Sequence, residues 1–206
     1  MNMIMTDIEY FLATFGLQEQ DILLFPYGSR VYGTAKEDSD HDYLAVIPAN
    51  HKVNTGEEYV HGSLNVHIFN RQDWEDQLQS HKVHCLEAYY LPDGVCQKHF
   101  PFTINLVKLR HELSEKSSKS WVKAKKKIDV EKDFYIGWKS LFHSLRILNF
   151  GIQIVTLGGI KDYSAANHYW AAILGAKEYT WDYFKRQYQG EFNRLATEFR
   201  KFAPKK

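Results

Sequence analysis

A chain of 206 residues, 44% hydrophobic and 15% aromatic, has enough apolar material to bury a core, which excludes a disordered or fibrous polypeptide. The net charge of +1 conceals a division: residues 1–100 carry 6 Lys+Arg against 15 Asp+Glu, and residues 101–206 carry 20 against 10. No apolar run approaches the roughly 20 residues that span a bilayer, which excludes a membrane-spanning partner role.

In chain order, Met1–Met5 lacks a basic start and no signal peptide is expected. Thr6 with Glu9 forms a capping-box pattern that opens a short helix through Ile8, Phe11, Leu12 and Phe15, stopping at Gly16. Ile22–Phe25 is a compact apolar run ended by Pro26, and Tyr43–Ile47 a second ended by Pro48; both read as buried strands. Residues 58–69 alternate on either side of His61-Gly62-Ser63, as a hairpin does. Arg71–Gln79 returns to helical spacing with Trp74 and Leu78 on one face, and His84–Tyr90 is a further short helix. Cys85 and Cys96 lack metal-type spacing and read as free thiols of a cytoplasmic protein. His81, His84 and Cys85 do not make a zinc site, because a fourth ligand at suitable spacing is missing.

After Pro101 the strand signals disappear. Phe102–Leu113 reads as a helix, Ser114–Ser120 as a polar hinge or linker, and residues 119–127 as a lysine-rich run around Trp121. That run suits either nucleic-acid phosphates with aromatic stacking or a solvated linker helix. Phe134–Leu157 is a long amphipathic pattern stopped by Gly158-Gly159. Ser164–Leu174 follows, and a last helix from Thr180 aligns Trp181, Phe184, Tyr188, Phe192, Leu195 and Phe199; Lys201, Lys205 and Lys206 read as a solvated tail. The predicted class is α+β: a mixed N-terminal lobe, residues 1–100, followed by an all-helical lobe, residues 101–206. An acidic lobe is suited to metal and a basic lobe to a polyanion, though opposite charge also lets two lobes attract each other.

The chemistry concentrates in Tyr27-Gly28-Ser29-Arg30-Val31-Tyr32-Gly33-Thr34 and Ser39-Asp40-His41-Asp42. Gly28 lacks the Cβ that would keep a phosphate away from the backbone, and Ser29 can present its hydroxyl and N–H together. A helix beginning at Ser29 or Arg30 would turn its free N–H groups to the same anion. Asp40 and Asp42, two apart on an extended segment, point the same way and can share a pair of Mg²⁺ ions roughly 4 Å apart. Lys139, His143 and Arg146 line one helical face as a cationic stripe.

Gly28-Ser29 followed by Asp40-x-Asp42 resembles the signature of the DNA polymerase β-like nucleotidyltransferase superfamily. Within it, Gly28–Thr34 and Ser39–Asp42 are similar to small predicted nucleotidyltransferases of bacteria and their phages. The resemblance is strong over about 20 residues, and looser to about Gly159. It implies a minimal palm with mixed sheet and flanking helices, Mg²⁺ (or Mn²⁺), and an NTP, ATP being the expected one. By that match NMP passes to a hydroxyl acceptor on a protein, an RNA or a small molecule. Asp40 and Asp42 would be catalytic metal ligands, and Gly28, Ser29 and Arg30 would hold the nucleotide. Lys139, His143 and Arg146, before an apolar run and Gly-Gly, are similar to the helical segment after the palm and would add nucleotide contacts.

Active members of the superfamily usually carry a third carboxylate on a later palm strand. The matching strand here, residues 64–69, has no acid; Asn65 or His67 occupies the place, depending on register, and Glu87 lies on the next helix. The alternative expectation is therefore a nucleotidyltransferase-fold module of weak or no turnover, binding nucleotide or a partner protein in a toxin–antitoxin or phage–host setting.

Overall fold

Among the described residues, four short strands organise the first half of the chain. The computed structural model describes residues 3–51 and 55–205, without the side chains of residues 3–6. The chain divides into two units, Met1–Phe102 and Thr103–Lys206.

The first unit contains helix α1 (Met3–Phe15), strand β1 (Leu23–Tyr27), the one-turn helix α2 (Ser29–Tyr32), β2 (His41–Ile47), β3 (Glu58–His61), β4 (Leu64–Asn70), α3 (Arg71–Gln79), α4 (Val83–Tyr89) and α5 (Val95–His99). The sheet order is β1-β2-β4-β3. β1 runs antiparallel to β2 and β3 antiparallel to β4, while β2 and β4 are parallel. Thus the hairpin read around Gly62 folds back with β4 inserted beside β2.

The period of two sorts each strand into two faces. Ala45, Ile47, Leu64, Val66 and Ile68 are buried together against Phe11 of α1. On the opposite face Trp74 of α3, fully buried, stacks on Phe25 of β1 at 5.4 Å and meets Phe69 of β4 edge-on at 5.5 Å. α3 starts where expected because Asn70 caps it, its side-chain oxygen accepting from the Asp73 N–H at 2.9 Å.

Three expectations change here. β1 does not stop at Pro26 but continues to Tyr27; β1 is an edge strand, the kind of strand in which a sheet accommodates proline. α1 begins at Met3, so Thr6 stands inside the helix and not at its cap; its side chain lies outside the described residues. α5, not read from the sequence, follows Gly94 in the left-handed conformation and buries Cys96, whose thiol burial pushes up to about 12. Cys85 and Cys96 are both free and buried.

The second unit is helical: α6 (Leu106–Asp129), α7 (Phe134–Leu157), α8 (Asn167–Leu174) and α9 (Trp181–Phe202). α7 has the bounds read from the sequence, and Gly158 ends it in the left-handed conformation, its N–H donating to Ile154 O at 3.1 Å. α9 also starts as expected after Thr180, whose hydroxyl accepts from the Tyr183 N–H at 3.3 Å. Among the described residues no helix is long and apolar enough to cross a membrane.

The hinge expected at Ser114–Ser120 does not exist, since α6 runs through it unbroken. Ser117 and Ser120 are buried, and the Ser117 hydroxyl donates to Ser144 O of α7 at 2.8 Å. These serines are small residues at a helix–helix seam, not loop formers. The lysine run belongs to the same helix, where Lys119 pairs with Glu115 at 2.6 Å and Lys126 with Glu131 at 3.0 Å. Trp121 packs on Trp181 (5.1 Å) and Phe192 (4.7 Å) inside the unit, which removes it as a base-stacking surface. α8 starts later than read because Asp162 accepts from the N–H and hydroxyl of Ser164, holding a turn before it.

Gly137 permits the close approach of α7 to α6: a Cβ there would lie 2.5 Å from Cγ1 of the buried Ile128. Gly137→Ala gains about 1 kcal/mol of helix propensity but overpacks a β-branched neighbour, a cost of about 1–3 kcal/mol. A net destabilisation is expected, read as a lower urea midpoint with unchanged slope.

Candidate functional site

The end of β1 and the starts of β2 and β4 meet at one end of the sheet. Tyr27 is the register partner of Asp42, and Asp42 in turn that of Asn65. After Tyr27 the chain turns sharply at Gly28, with φ +76° and ψ −156°, a conformation that side-chain-bearing residues avoid. α2 then closes on that turn, Val31 and Tyr32 donating to Gly28 O at 3.1 and 3.2 Å. Gly33 ends it in the left-handed conformation. With a single helical turn little macrodipole accumulates, so any anion affinity must come from local N–H groups and the Ser29 hydroxyl.

The sequence suggests that Gly28 serves close approach to the backbone. The geometry gives it a second task. A Cβ at Gly28 would lie 2.1 Å from Oδ2 and 2.8 Å from Cγ of Asp42, so the Asp42 carboxylate fills the volume that any side chain at 28 would need. The Gly28 turn and the carboxylate are therefore brought together by direct contact.

Arg30 lies against the connection that follows. It donates from Nη2 to Ser39 O at 2.6 Å and from Nε to Asp40 O at 3.2 Å, bracing the backbone that carries the exposed Asp40. Ser39 adds a bond, its hydroxyl accepting from the Lys36 N–H at 2.8 Å. His41, between the two aspartates, has its imidazole held below the usual range, first by burial and then by Arg30, against the opposing pull of Asp42, Asp40 and Asp7.

The three candidates for the third ligand position separate clearly. Asn65 stands beside Asp42 on the same sheet face, and its Oδ1 is buried without a hydrogen-bond partner among the described residues. His67 is paired with Leu44, further along, and its Nε2 lies 3.9 Å from Glu58. Glu87 is 2% exposed on α4 and accepts a 2.8 Å hydrogen bond from the Tyr32 hydroxyl of α2. The sequence reading missed this tie, which anchors the helix behind the turn. Nothing in the sequence signals a pairing between residues 55 apart.

Among the described residues no group of three His, Cys, Asp or Glu side chains is set to hold a metal ion. Asp42 and its register partner Asn65, with Asp40 two residues before Asp42, offer oxygen donors only, hard donors that fit Mg²⁺ or Mn²⁺ better than zinc. The contact of Asp42 with Gly28 puts this acid against the turn.

Lys139, His143 and Arg146 belong to α7 of the second unit, and they do not form a uniform stripe. Lys139 is exposed, its ammonium 5.2 Å from the Tyr135 ring centre. Arg146 is 5% exposed, with its guanidinium over the rings of Phe142 (5.5 Å) and Phe150 (5.7 Å). It lies 2.8 Å from Nδ1 of His143 and donates to it. Burial, then Arg146, Lys116 and Lys123, holds His143 well below its usual 6.5.

Gly28→Ala is expected to leave the remaining fold intact while displacing the Asp42 carboxylate. Its backbone strain alone costs about 1–3 kcal/mol, measurable by urea unfolding, and a crystal structure would show Asp42 moved. His143 stays neutral when folded, whereas in the unfolded chain it takes a proton below 6.5. Stability is therefore lost as pH falls through 6.5, by at most about 1.4 kcal/mol per pH unit from this group. Urea midpoints followed from about pH 7.5 to about pH 5.5 should fall less steeply in His143→Gln than in the parent.

Compared with known proteins, the chain matches no family model and no curated protein. The chemistry of the site rests on its own residues.

Proposed function

We propose that the first unit is a nucleotidyltransferase palm that moves an NMP from an NTP to a hydroxyl acceptor. The observation that carries this reading is the contact between Gly28 and the Asp42 carboxylate, which makes a phosphate-approachable turn and a metal-ligating acid into one structure. An enzyme that acts on a metal-complexed triphosphate needs that juxtaposition, whereas a solvated Asp-rich turn does not.

In this reading Ser29 and the neighbouring backbone N–H groups hold the leaving β- and γ-phosphates. Asp40 and Asp42 would hold divalent metal, with Arg30 fixing the carbonyls of Ser39 and Asp40 so that the Asp40 backbone does not drift. A divalent ion held there would supply charge neutralisation for the triphosphate and would favour deprotonation of the acceptor hydroxyl. The acceptor oxygen attacks the α-phosphorus in line, the bond from that phosphorus to the β-phosphate oxygen breaks, pyrophosphate leaves, and the hydroxyl proton goes to water. ATP is the proposed donor, and a protein side chain, an RNA end or a small molecule the acceptor.

A second reading, a nucleotide-binding module without turnover, is favoured by one observation: no three-acid or mixed His/Cys/acid group is set for metal among the described residues.

The decisive experiment incubates the protein with labelled NTPs and host lysate and follows both label transfer and pyrophosphate release. Asp40→Asn/Asp42→Asn is expected to abolish both with an unchanged circular dichroism spectrum; undiminished transfer by that double variant would sink the assignment. Magnesium-dependent NTP binding by calorimetry, with no pyrophosphate release from any acceptor, would favour the module.

A further inference from the structure

We propose that Asn65 is the third ligand of the metal site and that, being neutral, it limits the site to one tightly held divalent ion. The inference rests on the nucleotidyltransferase reading of Asp40 and Asp42 and adds what the strand register decides. Asn65 is the direct partner of Asp42 in the parallel β2–β4 pair, so the two side chains stand on one face, about 4.8 Å apart at the backbone. Its Oδ1 is buried with no hydrogen-bond donor among the described residues, an arrangement that folded proteins rarely leave uncompensated. A cation bound by Asp42 removes that deficit, because an amide oxygen is a competent ligand for Mg²⁺ and Mn²⁺.

The rivals are engaged elsewhere. Glu87 receives the Tyr32 hydroxyl behind the turn. His67 lies two residues further along β4, beside Glu58, and offers a softer nitrogen donor.

The consequence is electrostatic. Two divalent ions roughly 4 Å apart repel strongly and need a dense set of negative ligands to coexist. Asp40 and Asp42 supply two formal charges, and Asn65 contributes a dipole where an acid would contribute a third charge. One ion is therefore held by the protein, while a second depends on the phosphates of the bound nucleotide and stays weak.

Counting bound Mn²⁺ by electron paramagnetic resonance, in the presence of α,β-methylene-ATP, tests this without turnover. The parent protein should hold one tight Mn²⁺ per chain. Asn65→Asp should hold two, the weaker ion tightening by about tenfold or more, the scale on which ligand charge tunes oxygen-ligand sites. Asn65→Ala should loosen the tight ion, whereas His67→Ala and Glu87→Gln should match the parent. Two equally tight ions in the parent, parent-like binding by Asn65→Ala, or loosening by His67→Ala would each overturn the proposal while leaving the nucleotidyltransferase reading standing. If Asp40→Asn/Asp42→Asn binds Mn²⁺ as well as the parent does, both fall.

Discussion

The contact between the Gly28 backbone and the Asp42 carboxylate is the constraint on which the geometry of this site depends. It joins the exit of an edge strand to the entry of its neighbour. A residue with a Cβ at position 28 would have to evict the carboxylate and adopt a backbone conformation that it disfavours. Two further ties hold what this contact brings together. Arg30 fixes the carbonyls of Ser39 and Asp40, and Tyr32 reaches back to the buried Glu87. The turn is thus braced from the solvent side by a cation and from the core side by a hydrogen bond to a buried acid.

Sheet topology decides which residues share the site. Had the hairpin of β3 and β4 been laid on with β3 inside, the neighbour of Asp42 would have come from another strand. The order β1-β2-β4-β3 makes it Asn65, a side chain with ligand capacity and no charge. Beneath the site, Trp74 with Phe25 and Phe69 gives this face a stiff aromatic floor, while α1 covers the other face. The site stands on strand ends, where backbone positions are set by neighbouring ladders and not by a loop's own preferences.

In the second unit charge and packing interleave. Small residues on α6 and α7 let the helices approach closely, and the lysines of α6 are partly neutralised by Glu115 and Glu131 along the same surface. The cations of α7 take different environments at short spacing: Lys139 exposed, Arg146 between aromatic rings, and His143 kept neutral beside it. A helical spacing of i, i+4 and i+7 covers enough arc for one member to reach solvent while another is buried.

Periodicity and punctuation were sufficient to locate α3, α7, α9 and the hairpin, because burial period, capping residues and left-handed glycines act within a few residues. By the same local logic Gly28, Ser29, Asp40 and Asp42 stood out as one constellation. The failures have a common cause. Ser114–Ser120 reads as a linker because serine competes for backbone bonds in isolation, yet the neighbouring α7 makes small buried residues an advantage. Pro26 reads as a strand stop, yet an edge strand accommodates proline where a central strand does not. The sequence by itself determined the α+β character, the bounds of α3 and α7, the start of α9, and the pattern of Gly28-Ser29 followed by Asp40-x-Asp42. Only the tertiary structure decided that Asp42 rests on Gly28, that Asn65 and not His67 stands beside it, and that Glu87 anchors Tyr32. Register and long-range hydrogen bonds are fixed by which faces pack together, and a local pattern in one chain carries no record of its partner.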